Sequence, residues 1–144
     1  MTRSLVEQKF AAAAKGYATS EVHAKGESLG RLVELTSPRP DWRALDVATG
    51  AGHVALALAP KVAHVVAADL TQEMLDEAVL LAGERGITNI ELVRAPAEAL
   101  PFPDASFDVV ASRIAPHHFN DVGAFVRETV RVLTRFDTHP GVFV

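Results

Sequence analysis

The sequence predicts an α/β protein: a doubly wound sandwich with helices over both faces of a parallel sheet. Three observations carry this reading. Short apolar runs alternate along the chain with segments of helical period. The runs are near-continuously apolar, as strands covered on both faces are. A glycine turn leads directly from the first run into a helix, and right-handed crossovers between such units make the sandwich doubly wound.

Ser20–Leu35 reads as a helix, with Val22, Leu29 and Val33 at helical spacing. Ser37-Pro38-Arg39-Pro40 ends it, because proline lacks the donor and biases its predecessor away from the α region. Arg43–Ala48 is the first strand, Thr49–Gly52 the turn and His53–Ala59 a helix. Val62–Ala68 is the second strand. Thr71–Glu84 is a helix with Met74, Leu75, Ala78, Leu81 and Ala82 on one face, and Gly86 caps its end. Ile90–Val93 and Phe107–Ser112 are the third and fourth strands. Asp121–Leu133 is a helix whose buried stripe is Val122, Phe125, Val126, Thr129, Val130 and Leu133.

The chain has 144 residues, room for one domain, with 49% hydrophobic and 22% charged residues. That balance is globular, and a chain of this size buries a real core. A formal charge of −4 argues against a nucleic-acid partner, which needs clustered Lys and Arg. With no cysteine, disulfide scaffolds, Cys-bearing zinc sites and thiol nucleophiles are excluded. Met1–Phe10 lacks a signal-peptide hydrophobic run, and no stretch approaches a membrane span. A cytoplasmic protein is the expectation.

The chemistry concentrates in Leu45-Asp46-Val47-Ala48-Thr49-Gly50-Ala51-Gly52-His53-Val54-Ala55. Gly50 and Gly52 allow a sharp turn and close approach of a ligand to the main chain. The helix after the turn presents free N–H groups there. Asp46 sits at the carboxyl end of an otherwise apolar strand, where a carboxylate is costly unless it accepts hydrogen bonds or meets a cation. It suits a ligand carrying an ammonium and a sulfonium, or it caps N–H groups of the glycine turn, and both can hold together. Asp69 lies 23 residues further on, at the end of the second strand. This is close to the ~20-residue offset at which an acidic side chain reaches a ribose diol. The alternative for Asp69 is a helix N-cap, with Gln72 at capping-box spacing.

With these residues in place, the chain resembles the class I S-adenosylmethionine-dependent methyltransferases, in the branch that includes the ubiquinone/menaquinone-biosynthesis C-methyltransferases. Ala68-Asp69-Leu70-Thr71-Gln72-Glu73-Met74-Leu75 is similar to the family's segment after strand two. Ala97–Val110 resembles its loop and fourth strand. Arg113-Ile114-Ala115-Pro116-His117-His118-Phe119, Arg127-Glu128 and Arg131-Val132-Leu133 resemble the family's segments beyond that strand. The resemblance implies a Rossmann-like sheet of order 3-2-1-4-5. It divides the chain into amino-terminal cap helices over 1–40, with Lys9–Leu35 similar to the family's cap helix, and a cofactor-binding core over 41–144. It implies S-adenosylmethionine as cofactor, a small-molecule methyl acceptor, and cofactor contacts from Asp46, Thr49, Gly50, Gly52, Asp69, Leu70, Met74, Ala97, Glu98 and Arg113. Asp69 would hold the ribose and Met74 flank the adenine.

Four departures qualify the resemblance. Ala48 stands where the family's motif opens with glycine, a change that a small residue tolerates. Pro96 replaces an aspartate that hydrogen-bonds the adenine amine, leaving backbone groups near Ala97 and Glu98 and apolar packing to hold the base, with weakened affinity. An insertion precedes Pro140–Val144, which resembles the turn and start of strand five. The family's later strands are missing after it, which reads as a fragment, a truncated product or a degenerate copy. A sheet edge left open in this way favours a homodimer.

The implied reaction is displacement at the methyl carbon, with the protein positioning the partners in line. His117 or His118 can take a proton from a carbon or oxygen nucleophile, although loop packing or simple exposure is the simpler role for the pair. Metal binding by adjacent histidines is disfavoured, since no Cys or carboxylate cluster accompanies them. Arg113 is a ligand contact or a partner of Asp108 or Asp121. Trp42 and Tyr17 read as packing residues, Tyr17 also as a candidate for a lid. Two other classes stay open. Gly50–Ala55 fits the dinucleotide pattern G-x-G-x-x-G/A, although an NAD-type domain leaves Leu100–Val110 unexplained. Pro96 and the missing tail fit a non-catalytic, vestigial domain.

Overall fold

A computed structural model describes residues 4–19, 27–113, 119–136 and 139–144. The elements in chain order are α1 (Leu5–Thr19), α2 (Glu27–Thr36), β1 (Arg43–Val47), α3 (His53–Leu58), a 3₁₀ turn (Ala59–Lys61), β2 (His64–Asp69), α4 (Gln72–Glu84), β3 (Ile90–Arg94), β4 (Val109–Ala111), α5 (Val122–Val132), β5 (Arg135–Phe136), β6 (His139–Pro140) and β7 (Val142–Phe143). Five strands form one sheet in the order β3-β2-β1-β4-β7, and every pairing in it is parallel. This is the doubly wound order 3-2-1-4-5, with β7 as its fifth strand. β5 and β6 pair antiparallel outside the sheet.

The pleat sorts the strand residues into two cores. Ala44, Val65, Ala67 and Val109 face one side, under Leu32 of α2 and Val54, Ala55 and Leu58 of α3. Leu45, Val47, Val66 and Val110 face the other, under Phe125 and Val132 of α5 and Leu100 and Phe107. Both faces are dry, which is why the strands read as continuous apolar runs. Trp42 is buried in the first core, as a packing residue.

The differences from the sequence reading have local causes. α1 starts at Leu5, ahead of the expected cap helix, through a reciprocal capping box: Glu7 N–H donates to Ser4 Oγ at 3.1 Å, and Ser4 N–H to Glu7 Oε2 at 3.3 Å. Of the expected Ser20–Leu35 helix, Glu27–Thr36 is helical, and residues 20–26 lie outside the described residues. β2 begins two residues late because Val62 and Ala63 give their carbonyls to the Asn89 amide. Gly86 closes α4 with φ +65°, as expected of a C-terminal cap.

The α5 stripe keeps Phe125, Thr129 and Leu133 of the expected one, loses its three valines and gains Val132. Phe125, Thr129, Val132 and Leu133 are buried, whereas Val122, Val126 and Val130 are exposed. Phe125 fixes this face by stacking edge-on against Phe119 and Phe143, with ring centroids 4.7 and 5.8 Å apart. No described helix is long and apolar enough to cross a membrane.

Candidate functional site

A cleft of about 1000 Å³, its open mouth included, lies over the carboxyl ends of β1, β2 and β4. It sits where the strand order reverses between β1 and β4, the usual ligand crevice of open α/β sheets. Of the sequence-predicted residues, Asp46, Thr49, Gly50, Asp69, Leu70, Met74, Ala97, Glu98 and Arg113 line it.

Gly52 is elsewhere. It precedes α3 with φ +88°, and a Cβ built on it stands 3.0 Å from the Ala78 Cβ. Its bareness therefore allows α3 and α4 to pack closely. Gly50 has φ +58° and nothing within 4 Å of the position its Cβ would take, so that space is open to a ligand. Ala48 also has positive φ, +55°. The replacement of glycine there places an L-residue in the left-handed region, a larger cost than its small size suggests.

Two carboxylates organise the turn. Asp69 Oδ2 accepts the Gly50 N–H at 2.8 Å, and Oδ1 accepts the Thr71 N–H at 2.9 Å. Asp69 and Gln72 do not form a capping box, because Thr71 is the N-cap of α4 and Gln72 its first residue; the Gln72 amide donates to Asp76 at 2.9 Å. Asp46 Oδ2 accepts the Thr49 hydroxyl at 2.6 Å, so it braces the turn from within. Burial pushes the Asp46 carboxyl up to about 7; the hydrogen bonds from Thr49 and the Ala55 N–H oppose this, Asp69 adds repulsion and Arg113 attraction. Burial raises Asp69 as well, against the N–H groups of Thr71 and Gly50. Burial holds the Arg113 guanidinium below its ordinary value, and Asp46, which shares the cleft, opposes this in part. Asp108 instead accepts the Arg43 N–H, and Asp121 caps α5.

Several lining residues were not singled out by sequence reasoning. Val6 and Phe10 bring α1 over the cleft, and Phe119 and Asn120 form its wall after β4. The capping box at Ser4 and Glu7 and the Ala11–Ala14 run were the available signals for α1. α1 is tied down by Arg94, whose Nη2 donates to Glu7 Oε1 at 2.6 Å and whose Nε donates to the Leu70 carbonyl at 3.0 Å. Tyr17 lies on α1, but its side chain is outside the described atoms. His117 and His118 lie outside the described residues.

Comparison with known proteins agrees with this geometry. Residues 45–135 match the family model for a methyltransferase domain. The chain is 43% identical over 127 residues to the uncharacterized methyltransferase YcgJ of Bacillus subtilis, covering 88% of this chain and 50% of that protein. The crystal structure of YcgJ superposes with a TM-score of 0.73 at 44% identity, over 75% of this chain and 46% of that one. A ubiquinone/menaquinone biosynthesis C-methyltransferase, UbiE of Shewanella oneidensis, is 35% identical over 105 residues, 70% of this chain and 42% of that protein. A SAM-dependent methyltransferase from Aquifex aeolicus shares the fold, with a TM-score of 0.75 at 22% identity, over 86% of this chain and 67% of that one. The chain spans about half the length of the curated relatives it matches. With its sheet order and its matched domain, the chain belongs to the class I S-adenosylmethionine-dependent methyltransferase family.

Proposed function

We propose that the chain binds S-adenosylmethionine in this cleft and transfers its methyl group to a carbon or oxygen atom of a small-molecule acceptor. The observation that carries the reading is the state of Asp69. Asp69 lines the cleft at the end of β2, holding the Gly50 N–H on Oδ2 and the Thr71 N–H on Oδ1, with the Thr71 hydroxyl and the Leu70 N–H adding to that support. This places a carboxylate that a ribose diol can address, as a partner shared with the turn's own donors, beside a Gly50 whose missing Cβ leaves room.

The other lining residues fit the same ligand. Asp46 and Asp69 offer negative charge to an ammonium and a sulfonium, while Arg113 offers a cation to the amino-acid carboxylate. Leu70 and Met74 give an apolar wall to the adenine, and Ala97 and Glu98 the opposite side. The bound cofactor supplies an electrophilic methyl carbon. The chain's residues hold it in line with the acceptor and exclude water, with α1 covering the mouth through Val6 and Phe10. His117 and His118, between the cleft residues Arg113 and Phe119 in sequence, are the proposed proton acceptors. In this reading residues 1–40 are the cap and 41–144 the core.

Titration calorimetry with S-adenosylhomocysteine and with NAD tests the reading. It expects binding of the first and none of the second; the reverse pattern contradicts it.

A further inference from the structure

The cleft wall Ala95–Glu98 belongs to a segment without a strand partner beyond Ala95, whose N–H donates to the Asp69 carbonyl at 3.0 Å. Pro96, Pro101 and Pro103 remove three donors from this stretch. Ala95–Glu98 is turned by the Ala99 N–H, which donates to the Pro96 carbonyl at 3.3 Å, and the Asn120 N–H donates to Glu98 Oε1 at 3.1 Å; the stretch that follows, Leu100–Asp104, is held from α5. Arg131 Nη2 donates to the Leu100 carbonyl at 2.9 Å, and Nη1 donates to the Phe102 carbonyl at 2.7 Å and to Asp104 Oδ1 at 2.9 Å. Its Nε and Nη2 also donate to the two oxygens of Glu128, at 2.6 and 3.3 Å. These bonds engage all three guanidinium nitrogens, on a group that carries five N–H donors. Glu128 Oε1 in turn accepts the Leu100 N–H at 2.8 Å.

We propose that the Glu128–Arg131 pair is a positioning device that sets the nucleoside side of the cleft, acting through Leu100 and Phe102 on Ala95–Glu98. The proposal rests on the cofactor reading above. Neither residue lines the cleft, so their effect on a ligand is transmitted by backbone. The planar fork of arginine suits the task, because it serves two carbonyls and two carboxylates at fixed directions. A lysine ammonium is a point charge and cannot hold both carbonyls in that way. The pair also explains why adenine can be located without a side-chain acceptor at Pro96: the backbone that replaces it is held from outside.

The test uses Arg131→Gln, with Arg127→Gln as control. Arg127 is on the same helix, exposed, and only 4.0 Å from Asp121. Binding of S-adenosylhomocysteine and of 5′-methylthioadenosine, which lacks the amino-acid arm, is measured well below the unfolding temperature. Arg131→Gln is expected to weaken both about tenfold, as loss of a charged hydrogen-bond set can. The ratio of the two affinities, which reports the arm, stays at the wild-type value, and Arg127→Gln changes neither. Wild-type affinity for both ligands in a folded Arg131→Gln protein overturns the proposal, and so does a loss confined to the arm. If Arg131→Gln does not fold, Arg131→Lys and Glu128→Gln are judged by the same split.

Failure of wild-type protein to bind either ligand refutes the cofactor reading instead. The positioning claim is then decided by amide resonances of Ala95, Ala97 and Glu98 in the free variant. Shifts and faster exchange there, with sheet amides unchanged, support it; unchanged resonances overturn it.

Discussion

The Gly50 N–H donates to Asp69 Oδ2 at 2.8 Å, so the turn after β1 is held by the last residue of β2. The Thr49 N–H reinforces this by donating to the Ala68 carbonyl at 2.9 Å. Neighbouring parallel strands thus fix the ligand-facing turn twice, once through backbone and once through a carboxylate. Asp69 is a structural tie and, in the proposed function, a ribose acceptor at once. Asp46 supports the same turn from beneath, at 1% exposure.

Asp46 makes the site pH-sensitive. Its folded-state value of about 7 lies above the ordinary 3.8, so the folded protein retains a proton that the unfolded chain has released. Stability then falls as pH rises from about 4 to 7 and levels off above. Asp46→Asn keeps an acceptor for the Thr49 hydroxyl and cannot ionise. Its unfolding temperature relative to wild type is expected to rise between pH 5 and 8 in thermal melts. Affinity for cationic S-adenosylmethionine should increase through pH 7 in wild type and stay flat in the variant.

Ala48 is held at φ +55°, where an L-residue is disfavoured by roughly 1–2 kcal/mol, partly offset in glycine by chain entropy. Ala48→Gly is therefore expected to stabilise the fold by about 1 kcal/mol, a rise of ~2–4 °C in Tm. An unchanged or lower Tm would show that the surrounding turn already absorbs the strain.

Gly52→Ala should do the opposite. The new Cβ meets the Ala78 Cβ at 3.0 Å, with φ at +88°. Backbone strain and overpacking together give a loss on the order of 2–4 kcal/mol. Denaturant melts check the loss, and Gly52→Ala combined with Ala78→Gly should recover part of it by relieving the contact alone.

The Glu7–Arg94 ion pair closes α1 over the mouth, with the Arg94 side chain half exposed. Exposure limits its contribution to about 1 kcal/mol or less. Glu7→Gln is expected to leave the global Tm nearly unchanged while hydrogen exchange in α1 accelerates and S-adenosylhomocysteine dissociates faster. Equal exchange in α1 would mean that packing, not the ion pair, holds it down.

The strands were legible because burial on both faces leaves its mark on them: Leu45, Val66 and Val110 pack on one side of the sheet, and Ala44, Val65 and Val109 on the other; their order was implied only by the family resemblance. The glycine turn and its two aspartates were legible because a buried carboxylate at a strand end demands a partner. Phe125, Thr129 and Leu133 were legible as the buried side of α5, but the exposure of the valines beside them was not. Val122, Val126 and Val130 repeat at helical spacing as convincingly as Phe125, Thr129 and Val132, and only the ring contacts of Phe125 decide between them. The grip of Arg131 on the segment was hidden for another reason: it acts there through the Leu100 and Phe102 backbone carbonyls, a group that every residue carries. Gly52 shared a motif with Gly50, and only the nearness of Ala78 separates their roles.

Calorimetric titration of wild type and Asp69→Ala with S-adenosylhomocysteine decides whether Asp69 and the Gly50 turn form a nucleoside cradle. Wild type is expected to bind saturably and Asp69→Ala to lose about 100-fold in affinity, as removal of charge-assisted acceptors from a buried site entails. Equal affinity in the two proteins would contradict the cradle.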